Sequence, residues 1–123
     1  MSKLIGYMEG TNSLWLTTLA IEGCDALPLS NGYDGHGLNI QLVHADRKPD
    51  VIICYLHKLI PTPDAEVTIE DLLYRTKTYN IPVIIVCPKD KQEKARSLAP
   101  NLPENAMLVD PSEVVTKALE LLK

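Results

Sequence analysis

Val51-Ile52-Ile53-Cys54 and Val83-Ile84-Ile85-Val86 are the stretches that decide the fold of this chain. Both are continuously apolar. A strand with one face in water alternates apolar and polar residues, whereas a strand covered by helices on both faces does not. The two runs therefore read as inner strands of a parallel sheet. Three more apolar runs, at residues 4–7, 26–29 and 106–109, extend the set to five, with 51–55 and 83–87 as its centre. The gaps between neighbours are long enough for a helix each.

Those gaps carry helical patterns. Leu14, Leu16, Leu19, Ala20 and Ile21 mark the first, ended by Gly23. Leu38, Ile40, Leu42, Val43 and Ala45 mark the second, ended before Pro49. Thr68 followed three residues later by Asp71 resembles a capping box, in which each side chain satisfies a backbone N–H of the other. It opens a helix carrying Ile69, Leu72 and Leu73. Residues 89–99 give a weaker, mostly polar pattern. Asp110-Pro111-Ser112-Glu113 supplies an N-cap, a Pro at the first helical position and an early acid. The closing helix then shows Val114, Val115, Ala118, Leu119 and Leu122 on one side. The expected fold is a (βα)5 unit: a three-layer, doubly wound α/β domain with a five-stranded parallel sheet and right-handed crossovers.

A chain of 123 residues suffices for one such domain, spanning 1–123, and not for two. Its formal charge of −4 argues against a nucleic-acid surface, which needs clustered Lys and Arg. The one basic run, at 89–94, is diluted by Asp90 and Glu93. Cys24, Cys54 and Cys87 form no C-x-x-C, and the last two end apolar runs, where thiols act as small buried hydrophobes. A reduced, cytoplasmic setting is expected. The N-terminal residues lack the apolar core of a signal peptide and no run reaches membrane-spanning length, so no membrane partner is expected. Self-association is left open.

In a sheet of this kind ligands bind beyond the carboxyl ends of the strands. The first strand is followed by Met8-Glu9-Gly10-Thr11-Asn12-Ser13, the third by Tyr55-Leu56-His57-Lys58. The second is followed by Ser30-Asn31-Gly32-Tyr33-Asp34-Gly35-His36-Gly37, which holds three of the chain's 6 glycines. Such a cluster marks an unusual backbone path or a close approach. Read functionally, Ser30 and Asn31 donate hydrogen bonds, and Asp34 or His36 moves a proton as the candidate catalytic group. Read structurally, the octapeptide is a turn with Asn and Asp as turn formers. Thr11 and Asn12 could cradle a phosphate at a helix start, or Asn12 or Ser13 could be a plain N-cap. His57 could exchange protons and Lys58 could neutralise an anion. The candidate ligand-binding set is thus Glu9, Thr11, Asn12, Ser30, Asn31, Asp34, His36, Tyr55, His57 and Lys58. His36, His57, Asp34 and Glu9 show no metal-ligand spacing, so neither a metal nor another cofactor is expected.

The five-unit pattern resembles a response-regulator receiver domain over essentially the whole chain, which implies a flavodoxin-like, receiver-like fold. Lys3-Leu4-Ile5-Gly6-Tyr7 resembles its first strand, Lys48-Pro49-Asp50-Val51-Ile52-Ile53 the approach to its phosphoacceptor, and Ile81-Pro82-Val83-Ile84-Ile85-Val86 its fourth strand. Met107-Leu108-Val109-Asp110-Pro111 resembles the fifth strand and the Pro after it. The family's chemistry departs at each working position. Tyr55 stands at or near the phosphoacceptor Asp, the metal-holding acidic pair is reduced to Met8-Glu9, and Asp110 replaces the Lys before the Pro. Cys87-Pro88 replaces the Ser or Thr after the fourth strand. The resemblance implies a pseudo-receiver that regulates by binding a small anionic or phosphorylated ligand, a protein partner, or both.

A more local resemblance is to the methylglyoxal-synthase-like domain. Gly10-Thr11-Asn12 is similar to its phosphate-binding turn, and Leu29-Ser30-Asn31-Gly32-Tyr33-Asp34 to its Ser-Gly phosphate contact and catalytic Asp. Asp50-Val51-Ile52-Ile53 and Tyr79-Asn80-Ile81-Pro82-Val83 are similar to its later strands, and the loop Leu59-Ile60-Pro61-Thr62-Pro63-Asp64 suits it. The family's first strand and helix have no counterpart, and His57 or Lys58 stands where its second Asp is expected. This resemblance implies, as the alternative, an enzyme acting on a small phosphorylated metabolite.

Overall fold

The structure is a computed structural model that describes residues 3–32, 37–43, 46, 48–60 and 68–123. Along the chain run β1 (Leu4–Met8), α1 (Ser13–Ile21), β2 (Asp25–Ser30), β3 (Leu38–Asn39) and β4 (Val51–Tyr55). They are followed by α2 (Ile69–Leu72), α3 (Tyr74–Thr78), β5 (Val83–Val86), α4 (Gln92–Leu98), β6 (Ala106–Val109) and α5 (Val114–Leu121). All strand pairs are parallel, in the order β3-β2-β1-β4-β5-β6.

The apolar runs are the inner strands, as their composition demands. Side chains alternate across the sheet even where hydrophobicity does not. Ile52 and Cys54 of β4, with Val83 and Ile85 of β5, pack with Leu72 and Leu73 on one face. Val51 and Ile53, with Ile84 and Val86, pack on the other face with Leu19 of α1 and with Val114 and Ala118 of α5. Every one of the β4 and β5 residues just named is at most 4% exposed. Complete burial of such a side chain stabilises the fold by about 2 kcal/mol, which is why the two runs define the sheet.

Local signals set the helix starts. The Asn12 side chain accepts from Leu14 N at 2.9 Å and caps α1. Thr68 and Asp71 form the reciprocal capping box at the start of α2, at 3.1 and 2.8 Å. Asp50 joins the opening ends of two strands: its Oδ2 accepts from Leu4 N at 2.8 Å, and its own N–H donates to Leu4 O at 2.7 Å.

The sheet departs from expectation on one side. It has six strands rather than five, and the strict (βα)5 order fails after β2. No helix begins at Leu38. Instead Leu38–Asn39 is a short edge strand, and Ile40–Leu42 forms a single tight turn capped by Asn39 Oδ1, which accepts from Gln41 N at 2.9 Å. Ala45, the last residue of the expected helix, lies outside the described residues, as does His44. Leu38 and Asn39 pair with Leu29 and Ser30, so β2 and β3 are parallel neighbours joined by residues 31–37 alone. Parallel neighbours ordinarily need a crossover of a dozen residues or more. The short return is possible because Gly37 adopts φ +81° against β2, where a Cβ would lie 2.5 Å from Pro28 O. One glycine of the octapeptide is thereby explained by backbone geometry alone.

Candidate functional site

The chain runs outward from β1 to β2 and β3, then returns to lay β4 on the opposite side of β1. The reversal therefore lies between β1 and β4, and the crevice at such a point is where open parallel sheets take ligands. The segments that flank it are Glu9, Gly10 and Thr11 after β1, and Tyr55 at the end of β4 with the tight turn Leu56–Lys58 that follows.

Three strand ends are tied together here. Lys58 Nζ lies 3.0 Å from Glu9 Oε1, an ion pair spanning the crevice. The Lys58 side chain is only 16% exposed, against 46% for Glu9, so Lys58 is the more covered member. Asn31 Nδ2 donates to Lys58 O at 3.0 Å and draws the exit of β2 to the same turn. Thr11 Oγ1 donates to Met8 O at 2.7 Å, with Ile53 O a further 3.4 Å contact, and Thr11 N also donates to Met8 O. Ser30 is buried, and its Oγ accepts from Gly32 N at 3.0 Å. Asn12 caps α1 beside them.

An aromatic row runs beside these groups. The Tyr55 ring stands between Trp15 of α1, at 5.9 Å between centroids, and His57, at 6.0 Å and nearly parallel to it. Trp15 was not among the sequence candidates. Its signal was that the chain's one Trp sits on the helix that follows the first crevice loop.

Of the ten candidates, Glu9, Thr11, Asn12, Ser30, Asn31, Tyr55, His57 and Lys58 all fall on the carboxyl edge of β1, β2 and β4. Asp34 and His36 lie outside the described residues. Among the described residues no group of three or more His, Cys, Asp or Glu is placed to hold a metal ion. Nor is any helix among them long and apolar enough to cross a membrane. The described cysteines are unpaired thiols, and burial pushes Cys54 up to about 12, which leaves it a core residue without nucleophilic character at neutral pH.

Along the same edge, Asp110 joins the exits of β5 and β6. Its Oδ1 accepts from Lys89 N at 2.8 Å, and its Oδ2 accepts from the Ser112 hydroxyl at 2.6 Å and from Ser112 N at 3.1 Å. The Ser112 hydroxyl, then the two backbone N–H groups, hold the carboxyl below its usual range. A carboxylate depressed in the native state contributes stability above the ordinary carboxylate range. That contribution is lost as pH falls through the lowered native value. Asp110→Asn is therefore expected to be less stable than the parent at neutral pH, with the gap closing in strong acid. Urea unfolding across pH measures it, and a gap of constant width would show that Asp110 titrates normally.

Comparison with known proteins gives no match, either to a family model or to a curated protein.

Proposed function

We propose that this chain is a flavodoxin-like, receiver-like regulatory domain that binds a small anionic or phosphorylated ligand at the β1/β4 crevice and does not perform aspartyl phosphotransfer. Leaving aside the short edge strand β3, the order β2-β1-β4-β5-β6 is the doubly wound order in which ligands occupy this crevice. The Lys58–Glu9 pair carries the reading. A largely covered lysine paired with a half-exposed carboxylate is a cation at which an incoming anion can replace Glu9, with Glu9 swinging to solvent. Thr11 supports Lys58 as the anion's main contact, because both its N–H and its hydroxyl are spent on Met8 O. Tyr55 at the end of the central strand has no carboxylate with which to form an acyl phosphate.

Incubation with acetyl phosphate and Mg²⁺ tests the chemical half of this reading. The expected result is no stoichiometric labelling, and an acid-stable, base-labile phosphate on the native protein would overturn it. For the binding half, Glu9→Gln should strengthen the thermal shift produced by inorganic phosphate, because it removes a carboxylate that competes for Lys58. An unchanged or weaker shift would remove Lys58 from the site.

A further inference from the structure

Beyond the crevice, the carboxyl edge carries an open, apolar surface hollow of about 550 Å³ between the exits of β4 and β5 and the helix α4. Leu56, Cys87, Ala95 and Leu98 line it, and Lys91 and Lys94 stand at the same wall. From this arrangement we infer a second ligand site, one that takes a single-tailed anionic amphiphile such as a medium-chain carboxylate.

The argument starts from helical spacing. Positions 94, 95 and 98 are separated by one, three and four residues and share one face of α4, with Lys91 in the tight turn just before the helix at the same wall. That face is graded. It carries two ammonium groups at its start, a buried methyl at Ala95 and, at its end, Leu98 with 63% of its surface exposed. Leu98 is one of several exposed large apolar side chains; what distinguishes it is that it borders this apolar hollow, on a helix that is otherwise mostly polar. From Lys91 to Leu98 the face extends about 10 Å at 1.5 Å per residue, which suits a short aliphatic tail better than a compact polar metabolite. An open hollow leaves part of its occupant in water, which suits an amphiphile whose tail lies on the apolar wall and whose head group stays at the rim. The two lysines fix the sign of the head group. Asp90 on the same turn also acts on Cys87 and weakens the positive field, but it is not part of the cavity wall. The hollow meets the crevice at the turn carrying Leu56, but neither Lys58 nor Glu9 lines it.

Titration of the native chain with decanoate, decanol and decyltrimethylammonium, each below its micelle concentration and followed by amide chemical shifts, tests the inference. Decanoate should perturb Leu56, Cys87, Ala95 and Leu98 and bind about tenfold more tightly than either comparison probe, the difference expected of head-group charge. Lys91→Glu with Lys94→Glu should abolish that preference, and the solvent-exposed change Leu98→Asp should weaken decanoate binding without unfolding the chain. Lys58→Gln should leave decanoate binding unchanged, which separates this site from the crevice. Equal binding of the three probes, or no saturable shift with decanoate, would overturn the inference.

Discussion

Gly6→Val is expected to destabilise the fold by about 3 kcal/mol, through overpacking at the centre of the sheet. Gly6 sits mid-strand in β1, opposite Ile52 of β4 and Leu27 of β2. A Cβ there would lie 2.8 Å from Leu29 Cδ1, and 3.1 Å from both Ile52 Cγ1 and Pro49 Cγ. A flexible side chain could swing clear of one such contact, but Leu29 and Ile52 are wholly buried and have nowhere to go. Valine is the better strand former by up to about 1 kcal/mol. One overlap and two tight contacts, multiplied by the two further methyl groups of valine, outweigh that gain. Thermal denaturation should show a fall in Tm on the order of 10 °C. A variant as stable as the parent would mean that β1 does not approach β4 and Leu29 as described.

Ile52→Ala should cost about 4 kcal/mol, the upper part of the range for emptying a fully buried aliphatic site. Ile52 is inaccessible to solvent and belongs to the core under α2. The surrounding strand cannot collapse into the gap, because β4 is held by β1 on one side and β5 on the other. Urea unfolding should show a lower midpoint with an unchanged slope. The two sites are also coupled. Alanine lacks the Cγ1 that would collide with a new Cβ at position 6, so Gly6→Ala should cost less in the Ile52→Ala background. The expected coupling is about 1 kcal/mol. Strict additivity would contradict the Gly6–Ile52 contact.

The inner sheet was legible because its signal is strong and local. Val51-Ile52-Ile53-Cys54 and Val83-Ile84-Ile85-Val86 admit few other uses, and the capping pair Thr68–Asp71 forms as its spacing implies. The edge beyond β2 was not legible. Leu38, Ile40, Leu42 and Val43 fit a helical stripe, yet Ile40 and Val43 are buried while Leu42 is 56% exposed. The competing influence is non-local: β2 has an open edge, and pairing Leu38 and Asn39 to it satisfies backbone groups that a sequence pattern does not register. The octapeptide is changed in meaning by the same finding. It is a return between neighbouring strands rather than a strand-to-helix turn, so part of its glycine content belongs to Gly37 and its approach to Pro28.

The candidate site was legible as an edge and not as a set of contacts. Glu9, Asn31 and Lys58 are far apart in sequence and meet only because β4 returns beside β1. No spacing rule joins residues that topology brings together. The α4 hollow is illegible for the opposite reason: one Leu98 in a mostly polar helical pattern carries no signal of the strand exits it lies beside.

Calorimetric titration of the parent chain, Glu9→Gln and Lys58→Gln with inorganic phosphate, glycerol 3-phosphate and adenosine monophosphate bears most directly on the crevice. At least one of the three should bind the parent, bind Glu9→Gln more tightly, and bind Lys58→Gln at least tenfold more weakly, as loss of a partly buried cation requires. Binding that survives Lys58→Gln undiminished, or no binding by either the parent or Glu9→Gln, would contradict an anion site at the β1/β4 crevice.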